Sequence, residues 1–212
     1  TFDAGSGLKF VRASALPPFN ANIALAINII DQDGVSAGNP VVFGSGSGIA
    51  FSTGAAQYYG RLKLGNALGS ELLDLPMSLV TQYYLNSTQG FATNGSDSCT
   101  TAPAIGLGSY QLNLQAGETC VRDTGSPGAS GAGCAVAAVN SYFPKASAGN
   151  FNLILAAPGS GNSGAVTVTP VAPGWLQYLW NASSGVATSP SAMATFGIYP
   201  GSGTRIYQRE VY

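Results

Sequence analysis

Arg61-Leu62-Lys63-Leu64 and Val166-Thr167-Val168-Thr169 alternate polar and apolar side chains with a period of two. Successive side chains of an extended chain point to opposite faces, so such runs are half-buried β-strands; a helix would space its apolar residues three or four apart. The same period recurs at Phe151, Leu153 and Leu155 around Asn152. It returns near the end of the chain, where Arg205, Tyr207, Arg209 and Val211 oppose Ile206, Gln208 and Glu210. Further strands are expected at Leu8–Arg12, Ile23–Ile30, Val41–Phe43, Ile49–Ser52, Ser78–Tyr84, Tyr110–Leu114, Ala135–Val139 and Met193–Tyr199. Gly65–Leu73 is the best short helix, and its glycines weaken it.

The 29 glycines and 12 prolines cut the chain into short segments, as turns cut sheets. On the order of a dozen short strands joined this way make an all-β fold, an antiparallel β-sandwich or two stacked sandwiches. Long Gly-rich loops are expected at Gly44–Gly48 and Asp123–Gly133. Residues 1–212 read as one large all-β domain, with a subdomain seam, if there is one, near 101–134. The last strand, Thr204–Tyr212, should be integral to the sheet, because Ile206, Tyr207, Val211 and Tyr212 are too apolar for a frayed end.

Composition narrows the function. Hydrophobic residues are 45% of the chain and charged residues only 8%, against about 25% charged in an ordinary globular protein. A disordered chain would be poor in apolar residues and rich in charge. With 8 basic and 9 acidic residues the net charge is −1, which gives no basic footprint for nucleic acid or acidic lipid. No run of about 18 apolar residues offers a membrane helix. A surface of Ser, Thr, Asn and Gly has little repulsion to keep copies apart; this suits an exported fibre or adhesin better than a cytoplasmic protein. Thr1 in place of a start methionine fits removal of a leader.

Histidine is absent. Ser-His-Asp and Cys-His sites, His-ligated zinc and a histidine general base therefore cannot be built. Cys99, Cys120 and Cys134 form no CxxC pair, and an oxidising compartment would leave one disulfide and one free thiol. Cys120–Cys134, flanking the Gly-rich loop, is the expected bridge, with Cys99–Cys120 as the alternative. No cofactor is expected.

Two blocks carry a family resemblance. The first is Tyr59-Gly60-Arg61-Leu62-Lys63-Leu64-Gly65-Asn66-Ala67-Leu68-Gly69-Ser70-Glu71-Leu72-Leu73-Asp74-Leu75-Pro76, followed by Gln82-Tyr83-Tyr84, Gly90-Phe91, Asn94 and Asp97-Ser98-Cys99-Thr100. The second is Pro173-Gly174-Trp175-Leu176, Trp180 and Pro190–Tyr199, closing on Arg205–Tyr212. In this order they resemble the C-terminal domain of MshQ-type proteins, encoded with the mannose-sensitive haemagglutinin (MSHA) type IV pilus genes of Gram-negative bacteria. The resemblance runs from about Asn22 to Tyr212 and includes the Asp31-Gln32-Asp33-Gly34-Val35 turn. It implies a surface or pilus-associated protein and brings no catalytic residue with it. Gln208 departs from the pattern, which has tryptophan there. Cys120 and Cys134 are additions to it, so their pairing is not borrowed.

Asp31, Asp33 and Gly34 suggest a calcium loop, but Val42 stands where an EF-hand beginning at Asp31 would need its last carboxylate; Asp-Gly is a common tight turn. Trp175, Tyr178 and Trp180, with Tyr83 and Tyr84, are candidate ligand or partner contacts, since Trp and Tyr offer broad apolar faces to sugars and proteins. Core packing on strands is the competing expectation for them. Glu71 and Asp74 read as the solvated end of a short segment. Asn86, Asn94 and Asn181 open Asn-x-Ser/Thr sequons and read as turn residues.

The leading expectation is a non-enzymatic structural or adhesive protein, extracellular or on the cell surface. Its partners would be copies of itself or pilus subunits, met through uncharged strand edges such as Ile23–Ile30, Phe151–Leu155 and Val166–Val171. A carbohydrate-binding module for surface glycans is the alternative. A hydrolase, which would need two close carboxylates in a cleft, is the weakest reading.

Overall fold

The computed structural model describes residues 14–20, 22–23, 25–27, 32–34, 41–43, 49–50, 56–122 and 145–198. The fold is all-β and sandwich-like. The helical elements among the described residues are two short 3-10 turns, Gly174–Leu176 and Ala182–Ser184. The chain divides into two compact units, Thr1–Tyr59 with Tyr83–Ala92, and Gly60–Gln82 with Thr93–Tyr212. These boundaries fall outside the 101–134 interval.

The smaller unit begins with β1 (Phe19–Asn20), β2 (Asn22–Ile23), β3 (Leu25–Ile27), β4 (Val41–Phe43), β5 (Ile49–Ala50) and β6 (Ala56–Gln57). They pair antiparallel as β1–β6, β2–β5 and β3–β4. The pairs are nested, so this segment forms one long, interrupted hairpin. Asp33 and Gly34 lie in the connection between β3 and β4, and Gly34 has φ +76°, a left-handed conformation that glycine adopts without steric cost. That is the expected turn; Asp31 lies outside the described residues.

The remaining strands are β7 (Gly60–Leu64), β8 (Ala67–Gly69), β9 (Leu75–Met77), β10 (Leu79–Asn86), β11 (Gly90–Thr93), β12 (Ile105–Leu112), β13 (Leu153–Leu155), β14 (Gly164–Pro170) and β15 (Ala192–Phe196). β10 pairs with β7 in the larger unit and with β11 in the smaller. The larger unit also holds the β13–β9 pair and a four-stranded sheet in the order β12-β14-β15-β8. That sheet is antiparallel except at its β8 edge, which runs parallel to β15.

Alternation works as the sequence predicts. Leu62 and Leu64 are buried while Lys63 is exposed, and Val166 and Val168 are fully buried beside half-buried Thr167 and Thr169. With Leu75, Met77, Leu79, Leu114, Phe151, Leu153, Leu155, Ala194 and Phe196 they make a single core. Each large side chain withdrawn from water there contributes roughly 1.5–3 kcal/mol.

The expected helix at Gly65–Leu73 is not formed. Ala67–Gly69 is the parallel edge strand, fixed where Asn66 Oδ1 accepts the Met193 N–H at 2.8 Å and the Gly69 carbonyl accepts the Gly197 N–H at 2.8 Å. Gly65 and Gly69 disfavour a helix, and partners far along the chain decide the conformation. Asp74 is not simply solvated either. It takes Arg122 Nε and Nη2 at 2.7 and 2.9 Å and the Ala157 N–H at 3.0 Å, and the Arg122 bond holds its carboxyl below the usual range. Leu8–Arg12, Ala135–Val139, Thr204–Tyr212 and both Gly-rich loops lie outside the described residues.

Candidate partner-binding surface

β14 stops at Pro170, and Pro173 follows. Neither proline has an N–H to continue a ladder, so the chain turns instead of extending. The Leu176 N–H donates to the Pro173 carbonyl at 2.8 Å, closing a 3-10 turn. Leu176 is buried and lies so close to Gly60 that a Cβ there would come within 3.2 Å of its Cδ2. With Leu176 anchored inward, Trp175 is left 57% exposed.

Further on, Tyr178 and Thr188 exchange backbone bonds of 3.1 and 2.9 Å, which ties off residues 179–187 as a loop. Asn181 Oδ1 accepts the Ser183 N–H at 3.0 Å, and Gly185 reverses the chain at φ +64°. Trp180 is 39% exposed on this loop, beside exposed Leu179 and Val186. The two tryptophans are therefore not strand residues. The expectation that core packing accounts for these aromatics is corrected for Trp175 and Trp180 by the two prolines, which end the strand before them.

Arg61, from β7, completes the cluster. Its guanidinium carbon lies 4.9 Å from the Tyr178 ring centre and 5.0 Å from that of Trp180. The two rings meet edge-to-face at 5.2 Å. Arg61 Nε donates to Gln82 Oε1 at 3.0 Å. Partial burial draws the guanidinium below its ordinary pKa, against the Tyr178 hydroxyl, which is hydrogen-bonded to it and raises it; it stays charged at physiological pH. Cation–π contacts of this kind contribute about 0.5–1 kcal/mol each at exposed sites, so they fix the rings in place more than they stabilise the fold. In the sequence Arg61 is only the polar member of an alternating strand, and nothing local ties it to Tyr178.

Tyr83 and Tyr84 belong to the smaller unit. Tyr83 meets Tyr58 edge-to-face at 5.0 Å, and Tyr84 meets Phe91 in the same way at 5.4 Å. The candidate contacts thus fall into two groups, Trp175, Tyr178 and Trp180 in one unit and Tyr83 and Tyr84 in the other. Asn86, Asn94 and Asn181 all sit at turns.

Cys99 is an exposed free thiol whose N–H donates to Asp97, so the alternative Cys99–Cys120 bridge is not formed. Cys120 is half-buried, and Cys134 lies outside the described residues. Among the described residues no three His, Cys, Asp or Glu side chains gather around a metal-sized space, and no helix is long and apolar enough to cross a membrane.

Residues 58–211 match the family model of the fourth domain of DUF6701. The chain belongs to the DUF6701 family. No curated protein and no solved structure matches it. The matched interval of the DUF6701 fourth domain contains Arg61 and the whole 174–188 loop. The β1–β6 hairpin precedes that interval.

Proposed function

We propose that this DUF6701 chain is a non-enzymatic structural or adhesive domain of an exported, cell-surface- or pilus-associated bacterial protein. It acts through protein–protein contacts and assembles with copies of itself or with pilus subunits. The observation that carries the reading is the exposed stretch 174–188, which presents Trp175 and Trp180 to solvent and packs Tyr178 and Trp180 against Arg61. Trp, Tyr and Arg are the residues that dominate binding energy at interfaces, and here they stand together on a surface otherwise poor in charge. The resemblance to MshQ-type proteins supplies the pilus context. Two grooves, of about 390 and 270 Å³, are lined without a carboxylate or a thiol. An antibody to the domain should label intact bacteria without permeabilisation; label that appears only after lysis overturns the surface assignment.

Exposure of Trp175 and Trp180 favours a second reading, a carbohydrate-binding module with the indole faces as its platform. A glycan array distinguishes it. Specific spots that disappear in Trp175→Ala/Trp180→Ala identify a glycan ligand, and a blank array leaves protein contact. That double variant should change the unfolding free energy by no more than about 1 kcal/mol, because exposed side chains outside the core carry little stability. A larger loss in urea denaturation would show that the tryptophans are structural.

We also propose the Cys120–Cys134 bridge, which suits an oxidising compartment. Cys99 is free. Closing a loop of about fifteen residues stabilises by roughly 3 kcal/mol in the chain-entropy model. Reduction should lower the melting temperature accordingly, and non-reducing peptide mapping that finds all three cysteines as thiols rules the bridge out.

A further inference from the structure

Two of the uncharged segments that look like open edges in the sequence are occupied on both sides in the fold, and the third, Ile23–Ile30, lies only partly within the described residues. Val166–Val171 covers β14, which lies between β12 and β15. Phe151–Leu155 has β9 on one side. On the other, Arg122 N–H donates to the Ile154 carbonyl and Ala156 N–H to the Cys120 carbonyl, both at 2.8 Å. The longest unguarded edge among the described residues is β12. It bounds the four-stranded sheet, and Ile105-Gly106-Leu107-Gly108-Ser109-Tyr110-Gln111-Leu112 contains no charge and no proline, the two features with which proteins blunt such edges.

The register shows which backbone groups face outward. Ala104 O accepts the Val171 N–H at 2.7 Å. Bonded and non-bonded residue pairs alternate along an antiparallel ladder. Gly106–Thr169 and Gly108–Thr167 are therefore bonded pairs, and Ile105–Pro170 and Leu107–Val168 are not. Pro170, lacking an N–H, fits its non-bonded position. The N–H and C=O groups of Ile105 and Leu107 thus point away from β14, and among the described residues nothing receives them. Their side chains pack on the rim of the core, while Gly106 leaves the other face bare. Past Gly108 the strand is bulged, with Ser109 and Leu112 at φ +50° and +60°, so the usable edge is Ala104–Gly108.

We propose that this edge pairs with the same edge of a second copy, antiparallel, about a two-fold axis at Gly106. The proposal rests on the assembly reading above and names its surface. In this register Ile105 lies opposite Leu107 of the second copy and exchanges both of its bonds with it, and the converse holds for Leu107. Self-pairing is favoured because the two outward residues flank one central glycine, so the edge is complementary to itself, as a closed two-fold contact requires. No charge on the strand opposes it. The half-buried side chains of Ile105 and Leu107 meet their counterparts on one face, and the core continues across the junction.

The dyad places Gly106 against Gly106, where like charges would face each other at Cβ separations of about 4.5–5.5 Å. A Cβ at Gly106 meets only the Thr169 carbonyl, at 3.5 Å, so a side chain fits. Sedimentation equilibrium should find the parent chain dimerising weakly between about 10 μM and 1 mM, as a small interface does. Gly106→Lys and Gly106→Glu should each weaken association about fivefold or more, and an equimolar mixture of the two should restore it. A parent that dimerises while both variants match it overturns the β12 edge and leaves assembly to another surface. A parent monomeric throughout overturns the edge and self-assembly together, and leaves pilus subunits as the partners of the assembly reading. If the variants do not fold, amide hydrogen exchange of the parent decides: the Ile105 and Leu107 N–H groups should gain protection as concentration rises, and unchanged exchange in a sample that dimerises overturns the proposal.

Discussion

Replacing Asp97 with alanine is expected to lower the unfolding free energy by about 4 kcal/mol. Asp97 is only 7% exposed. Its Oδ2 accepts the Thr81 hydroxyl of β10 at 2.8 Å, and its Oδ1 accepts the backbone N–H groups of Thr100 and Cys99 at 3.0 and 3.2 Å. Its own carbonyl accepts the Gly149 N–H at 2.8 Å. The carboxylate thus joins a strand to its own turn, and the backbone carbonyl of the same residue ties in the turn before Phe151. Removing the carboxylate leaves two buried donors, the Thr81 hydroxyl and the Thr100 N–H, without an acceptor, each costing about 1–3 kcal/mol. Asp97→Asn keeps an acceptor oxygen for the backbone amides and should lose about half as much. Urea denaturation measures both, and a loss under about 1 kcal/mol for alanine would show that water takes over the role.

The same group sets the acid limit. Burial alone would raise its pKa, but bonds from Thr100, Thr81 and Cys99 outweigh burial and hold it below the usual value. A depressed carboxyl stabilises the fold fully above the unfolded pKa, about 3.9, and the contribution is lost as pH falls from there through the folded value. Asp74, depressed by Arg122, acts with the same sign. With no histidine to titrate, the melting temperature should be flat between about pH 5.5 and 8 and fall below about pH 4. Asp97→Asn should reduce that acid slope.

Phe196→Ala should be comparably severe, at about 4 kcal/mol. Phe196 is fully buried on β15 among the side chains of the core, and alanine would leave a cavity that strands on both sides cannot close. Phe196→Leu keeps much of the volume and should cost about 1.5 kcal/mol or less. A small loss for the alanine variant in urea denaturation would mean that the core collapses around the gap.

Strands whose sides differ in polarity were legible because each residue declares its own face. Val41–Phe43 matches β4 in both bounds, and Leu62 and Leu64 point inward as alternation demands. Ala67–Gly69 was not legible: one leucine between two small residues is too short a run to carry a period, and only Ala194–Phe196 makes them a strand. The candidate site was half legible. Trp175, Tyr178 and Trp180 stand out as residue types, but their exposure depends on how Pro170 and Pro173 end a strand, and Arg61 joins them by tertiary packing alone. Asp97 stands out only within the block that carries the resemblance; its buried role had no local signal, because its partners are backbone amides and a hydroxyl on another strand.

The parallel seam between β8 and β15 also fixes when the domain can form. The chain emerges from a ribosome or an export channel N-terminus first, so Ala67–Gly69 must wait for Ala192–Gly197, nearly the last residues described, before it has a neighbour. Contacts so distant in sequence make folding slow, and an incomplete chain exposes unpaired strands to proteases and to aggregation. A nascent chain stalled before Ala192 cannot complete this sheet. The four-stranded sheet therefore closes late, once nearly all of the residues from Ala67 to Gly197 have emerged.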